Sequence, residues 1–252
     1  RAVLNFYGYL FFHPDHYKHI LQDNNRNYSK MPHPSLKLLQ PVVGNGLLTS
    51  DGEFWRRQRR LAAPAFHRQR IASFATTMTE SAESMLENWH VLAKDGRPLG
   101  IKDAMMHVTL ESVVKTLFSI DLTREADTVG ASFSVVNEQL ARLTGIPFAE
   151  IGLKIPFLPS TRTVNQHTAV LAQVVNGIIQ QRRQQELDKE DLLGMLMSAR
   201  DEETGEGMSD QQLHDEVMTI MLAGHETTAV ALAWTFYLLS EHPDMLANLE
   251  AE

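Results

Sequence analysis

The sequence predicts a mainly α domain with a minor β region at its front, and three observations carry that reading. Apolar residues recur at helical spacing over most of the chain beyond Asp51. One helical stretch can run without interruption from Asp210 to Glu241. The only run rich in β-branched and aromatic residues is short and lies between Val3 and Phe12. A chain of 252 residues is long enough for one large domain with its own core or for two small ones.

Val3 to Phe12 reads as one strand, or two with a break at Gly8. Pro14 then opens a helix, because proline suits the first helical turn. Residues 31–46 hold three prolines and two glycines and read as a long loop. Met78, Ala82, Met85, Leu86, Trp89 and Leu92 fall on one helical face. Lys94 to Gly100 is a turn, and Val108, Val113, Val114, Leu117 and Phe118 mark the next helix. Pro156 and Pro159 break the pattern between Ile155 and Ser160. Val170 with Leu171, Val174 with Val175 and Ile178 with Ile179 form an amphipathic stripe. Asp201 to Ser209 is acidic and reads as a surface loop.

Composition narrows the function. A net charge of −8 disfavours nucleic acid as a partner, since phosphate neutralisation needs an excess of Lys and Arg. Without cysteine the chain has no disulfide, thiolate metal site or cysteine nucleophile of its own. No run reaches the ~20 apolar residues of a membrane-spanning helix. The chain starts at Arg1 with no methionine, so an upstream leader or anchor is left open.

The long helix carries the strongest signal. Ser209 and Gln212 form a capping box, and His242-Pro243 stops the helix. At ~1.5 Å per residue the rod measures ~48 Å. From Ile220 to Leu239 apolar residues cover every face, which predicts burial. Yet Ala223-Gly224-His225-Glu226-Thr227-Thr228 sits in its middle. An interior glycine costs ~1 kcal/mol against alanine. A threonine there can bond back to the carbonyl four residues earlier and bend the helix. A buried carboxylate is costly unless paired. Such breaches of local rules often mark function, and they predict a distortion from Gly224 to Thr228. The plainer alternative is a buried helix whose polar groups are satisfied by its own backbone and a neighbour. A zinc-protease helix is excluded, because Ala229 stands where the second histidine of His-Glu-x-x-His would be.

Two further patterns stand out. Trp55 and Arg59, at i and i+4, fall on one helical face. The bland alternative is a core tryptophan beside a solvated arginine. Six arginines and no acidic residue lie between Phe54 and Thr79, either a patch that steers an acidic partner or a solvated face. Gly44-Asn45-Gly46 is not a dinucleotide loop, lacking a third glycine and a βαβ setting.

Ala223-Gly224-x-Glu226-Thr227-Thr228 in a long central helix resembles the oxygen-activation motif of the cytochrome P-450 family. The flanking Met208-Ser209-Asp210, Glu216, Trp234 and His242-Pro243 strengthen the likeness. So do His13-Pro14, Gly44 to Leu48, the run Asp51 to Arg60, and Phe66. The resemblance implies haem b as cofactor, with Trp55 and Arg59 on its propionates. Ala223 and Gly224 would let helix and haem approach, with Thr227 beside it. Glu226 and Thr227 would be the catalytic pair, relaying protons to dioxygen. It further implies a lipophilic substrate, such as a fatty acid or terpenoid, that is hydroxylated or epoxidised. Electrons would come from NAD(P)H through a ferredoxin, flavodoxin or reductase, and the residues present would be soluble and cytoplasmic.

Two family features are absent: the haem-ligand cysteine, and the Glu-x-x-Arg expected beyond the long helix. The same letters at Glu53 to Arg56 lie in the wrong place. Residues 1–252 are therefore read as one partial domain lacking the C-terminal haem-binding half, inactive alone. Two rivals remain: a non-catalytic helical binding module derived from the family, and a helical haem protein ligated by one of its 11 histidines, His225 among them.

Overall fold

A computed structural model describes residues 9–30, 33–120, 126–144, 146, 149–184 and 191–251. Eleven α-helices are present among these residues. In chain order they are α1 (Pro14–Lys18), α2 (Pro34–Val43), α3 (Gly52–Ala62), α4 (Arg68–Lys94) and α5 (Ile101–Phe118). Then come α6 (Ala126–Leu143), α7 (Ala149–Gly152), α8 (Pro159–Gln184), α9 (Leu192–Ser198), α10 (Asp210–Glu241) and α11 (Pro243–Ala251). The mainly α reading is borne out. No strand occurs among the described residues. The expected N-terminal strand falls partly on residues 3–8, outside them. Tyr9 to Phe12 lie exposed with no neighbouring strand, and an unpaired strand has no ladder to stabilise it.

The expected loop over residues 31–46 is also corrected. It contains α2, with Pro34 in the first turn and Pro41 tolerated inside. Burial of Leu38, Val42 and Val43 along one side outweighs the turn-forming composition. Gly44 ends the helix at φ +67°, a conformation that favours glycine.

The centre of the fold is the pairing of α10 with α5. α8 and α2 flank α10, and α6 lies along α8. Leu213, Val217, Met218, Met221 and Leu222 of α10 join Leu110, Val114 and Phe118 of α5 in the main core. Leu171, Val175, Ile178 and Ile179, the stripe read from the sequence, bury from α8. α10 keeps its expected bounds and its capping box. Its burial does not last the whole length. From Val230 onward the apolar side chains are largely uncovered, with Trp234 60 % exposed. Among the described residues no helix is long and apolar enough to cross a membrane.

Buried charge ties the connections down. Arg182 on α8 donates to both oxygens of Asp191, at 2.7 and 2.6 Å, and to the Phe118 carbonyl at 2.6 Å. Asp191 also accepts the Gly194 N–H and so caps α9. Burial pushes its carboxyl pKa up, but hydrogen bonds from Arg182, Ser119 and Gly194 outweigh that and hold it below the ordinary value. On α10, Asp215 accepts the Asn45 N–H at 2.8 Å and Glu216 accepts the Leu47 N–H at 3.0 Å. A Cβ on Gly44 would collide with the Asp215 carboxylate, and one on Gly46 with the Thr219 hydroxyl. The two glycines thus serve a close approach of loop to helix.

Two outcomes are expected. Replacing Arg182 by Leu strands Asp191 in the core and should cost about 3–5 kcal/mol, measured by urea unfolding; Arg182→Lys should recover only part, because the forked contact needs a guanidinium. The second concerns pH. His225 is 0 % exposed, and burial lowers its pKa to about 4, against a weaker raising effect of the Met106 backbone. The unfolded chain therefore binds this proton more readily. Stability from His225 is complete above its ordinary pKa of 6.5 and drains as pH falls toward 4, by at most about 1.4 kcal/mol per unit. Burial pushes Glu216 up to about 7; the Leu47 N–H and Lys30 oppose the rise and Asp215 adds to it. Its contribution grows as pH falls from 7 toward 4.5. Comparing unfolding at pH 7 and pH 5, His225→Leu should lose less stability on acidification than the parent and Glu216→Gln should lose more. Equal losses in all three would exclude this account.

Candidate active site

Packing divides the polar island of α10 between two faces. His225 and Ala229 are buried, Gly224 and Glu226 half-buried, and Ala223, Thr227, Thr228 and Val230 exposed. A Cβ on Gly224 would stand 3.1 Å from Val113 Cγ2, so this glycine admits α5. Of the two small residues, only Ala223 lies on the open face. The Thr227 hydroxyl donates to the Ala223 carbonyl at 2.7 Å, the backbone satisfaction that the plainer reading anticipated. The expected distortion is absent at the level of the helix itself, which is continuous α through Gly224 to Thr228 with no 3₁₀ or π turn.

His225 is enclosed against Phe133 of α6, with ring centroids 5.5 Å apart, and neither ring nitrogen has a well-formed hydrogen bond among the described residues. It faces the core and not the open face, so it is not placed to serve that face as an iron ligand. Glu226 points to α6 as well, where the Asn137 amide donates to Oε2. Burial raises the Glu226 pKa and Lys102 on α5 opposes the rise.

A second cluster forms around Trp55. The Arg59 guanidinium lies 5.6 Å from the indole centroid, as their spacing implied. Lys30 was not singled out from the sequence, yet its Nζ sits 5.2 Å from the same ring and donates to the Leu47 carbonyl at 2.6 Å. Burial lowers the Lys30 pKa; Asp51 and Glu216 oppose this and Arg59 adds to it. The one signal for Lys30 was the absence of any acidic residue within six positions on either side. Lys30, Arg59 and Trp55 thus gather two cations and an indole with no carboxylate accepting from Arg59 among the described residues.

Three more arginines of that stretch have partners. Arg60 binds Asp201 at 2.6 Å and Arg57 approaches it at 3.9 Å, while Arg56 pairs with Glu53. Asp201 in turn accepts the Glu203 and Thr204 N–H groups of its own loop. Arg57 and Arg60 therefore work inside the fold, tying α3 to the segment before α10.

Among the described residues the Trp55 cluster and the Ala223–Thr227 face make no direct contact. They are linked through one residue: the Leu47 carbonyl accepts from Lys30 and its N–H donates to Glu216, two turns before Ala223 on α10. Beyond Thr227 the open face continues into a hollow of about 390 Å³ lined by Lys102, Val230, Ala233, Trp234 and Tyr237.

The family model for cytochrome P450 matches residues 8–252. The chain is 37 % identical over 246 residues to cyclooctatin synthase of Streptomyces melanosporofaciens, covering 97 % of this chain and 52 % of that protein. It is 31 % identical to the chloroplastic protein LUTEIN DEFICIENT 5 of Arabidopsis thaliana, covering 93 % and 41 %. It is 33 % identical to pentalenene oxygenase of Streptomyces avermitilis, covering 84 % and 45 %. The crystal structure of the cytochrome P450DA heme domain superposes with a TM-score of 0.72 at 28 % identity, covering 89 % of this chain and 49 % of that one. The chain spans about half the length of the curated relatives it matches. The resemblance read from the motifs holds over nearly all of it, and the chain belongs to the cytochrome P450 family.

Proposed function

We propose that the whole protein is a haem-dependent monooxygenase that hydroxylates or epoxidises a lipophilic small molecule of the terpenoid kind. Support for the substrate class comes from relatives named cyclooctat-9-en-7-ol 5-monooxygenase and pentalenene oxygenase, and from the apolar walls of the hollow beside Val230 and Trp234. The observation that carries the reading is the split of α10: a small residue and a hydroxyl outward at Ala223 and Thr227, a carboxyl of raised proton affinity behind them at Glu226.

The residues present fit the cofactor. Two carboxylates of a haem need cationic donors, and Lys30, Arg59 and the Trp55 indole gather there. The macrocycle needs a flat, uncrowded wall, which the open side of Ala223 offers. Haem b, when bound, supplies the activation of dioxygen, with electrons drawn from NAD(P)H through a ferredoxin, flavodoxin or reductase. The thiolate that the family uses on the iron is not among these 252 residues.

The chain's own groups then handle protons. Near neutrality Glu226 keeps more of its proton than an exposed glutamate would, because burial disfavours its charge. It is the reservoir. Thr227 Oγ1 holds a proton that its own helix now accepts at Ala223. Turning that O–H outward aims it at the open face. A donor so placed sets where a proton arrives, and the carboxyl restores it through water.

Product formed per NAD(P)H consumed, with peroxide yield, tests the assignment in the haem-loaded enzyme. Thr227→Ala should leave haem and substrate binding nearly intact but lower coupling and raise peroxide. Losing one positioned donor costs roughly 2.7–4 kcal/mol elsewhere, and water partly replaces a hydroxyl, so the loss should fall at or below the low end. Glu226→Gln should slow turnover without redirecting it. Thr228→Ala, about 100° around the helix from Thr227, should do little. Uncoupling by Thr228→Ala alone would reassign the hydroxyl, and full coupling in all three would end the relay reading.

A further inference from the structure

Glu226 and Thr227 are neighbours in sequence but not in direction. Successive residues of an α-helix point about 100° apart. Thr227 is on the exposed side of α10, and the Glu226 carboxyl reaches α6, where it accepts the side-chain N–H of Asn137. One turn earlier on α6, Phe133 packs on His225, so Phe133 and Asn137, at i and i+4, hold the His225–Glu226 pair from the same side. Asn137 is half-buried, and its amide is the hydrogen-bond donor that Glu226 has among the described residues.

We propose that Asn137 is a positioning residue for Glu226: its side-chain amide parks the carboxyl against α6, and release from that amide lets the group turn toward Thr227. The inference rests on the proton role assigned to Glu226 above, and adds to it a second residue and a resting position. Asparagine suits the task. Its N–H₂ can only donate to the carboxyl, it takes up no proton itself, and it carries no charge that would hold the carboxylate permanently. An arginine or lysine there would lock the group, whereas leucine would leave it loose.

The electrostatic surroundings make the contact consequential. Burial raises the proton affinity of Glu226, and the cation opposing it is Lys102 of α5. His225 beside it on α10 is neutral near neutrality. On α6 the neighbouring Glu138 is paired with Arg142. The Asn137 N–H therefore adds to Lys102 in favouring the ionised form. A hydrogen bond to a charged group corresponds to an equilibrium shift of about one pKa unit or somewhat more.

The test uses the haem-loaded protein carrying Asn137, Asn137→Leu or Asn137→Asp. The carboxyl stretch of Glu226 is followed by infrared difference spectroscopy over pH, with Glu226→Gln to assign the band. Leucine matches the shape of asparagine without its donor, so a purely structural role predicts no change in the titration. Our inference expects the Glu226 pKa to rise by about one unit with leucine, and by more with aspartate, whose charge repels. The pH profile of turnover should move upward with the band. Unchanged titration in both variants would overturn the role of Asn137, and so would a rise with aspartate alone. A shifted band with unshifted turnover would keep Asn137 as the partner of Glu226 and sink the relay reading instead.

Discussion

The close approach of α10 and α5 at Gly224 is the contact on which the rest of the structure depends. With no Cβ at that point, Val113 settles against the helix backbone, and the facing side of α10 becomes interior. Helical geometry then distributes the other residues. His225 and Ala229 follow Gly224 inward, while Ala223, Thr227 and Val230, at i, i+4 and i+7, are turned outward. The open face is thus a by-product of how the opposite face is packed. A larger residue at Gly224 would press on Val113 and force α5 to give way.

Acidic residues do much of the joining. Asp191 closes α8, α5 and α9 around one guanidinium. Asp201 draws Arg57 and Arg60 of α3 onto the segment before α10. Asp215 and Glu216 hold the peptide N–H groups of Asn45 and Leu47. The net charge of −8 is therefore partly architectural, since several of these carboxylates face protein and not solvent. The Glu216 contact also connects distant parts of the chain, because the carbonyl of the same Leu47 accepts from Lys30, which rests on Trp55.

Local signals were the legible ones. Both ends of α10 were readable because Ser209, Gln212, His242 and Pro243 act within a turn of the boundary. The pairing of Trp55 with Arg59 was readable from i, i+4 spacing. α2 was not, because three prolines and two glycines outweigh Leu38, Val42 and Val43 unless the core that buries them is known. Asn137 was illegible for another reason: its partner lies 89 positions away, and a lone asparagine in a helix has no pattern to betray it. The Leu47–Glu216 contact spans 169 positions. Periodicity also marked the second half of α10 as apolar without naming the neighbours that would cover it, and the described residues supply few of them.

That division of α10 has a dynamic meaning. Its backbone is one hydrogen-bonded ladder, but its two halves live in different surroundings. Amides from Leu213 to Leu222 can meet solvent only when the core opens, so their exchange should report global unfolding. Beyond Val230 the neighbours supplied by the described residues are fewer, Trp89 against Phe236 and Met85 in the same apolar cluster as Ala233. The polar island sits where one regime gives way to the other. Ala223 to Thr228 thus mark the point on α10 where the enclosure built by α2, α5 and α8 gives out and the helix offers its side chains to other neighbours.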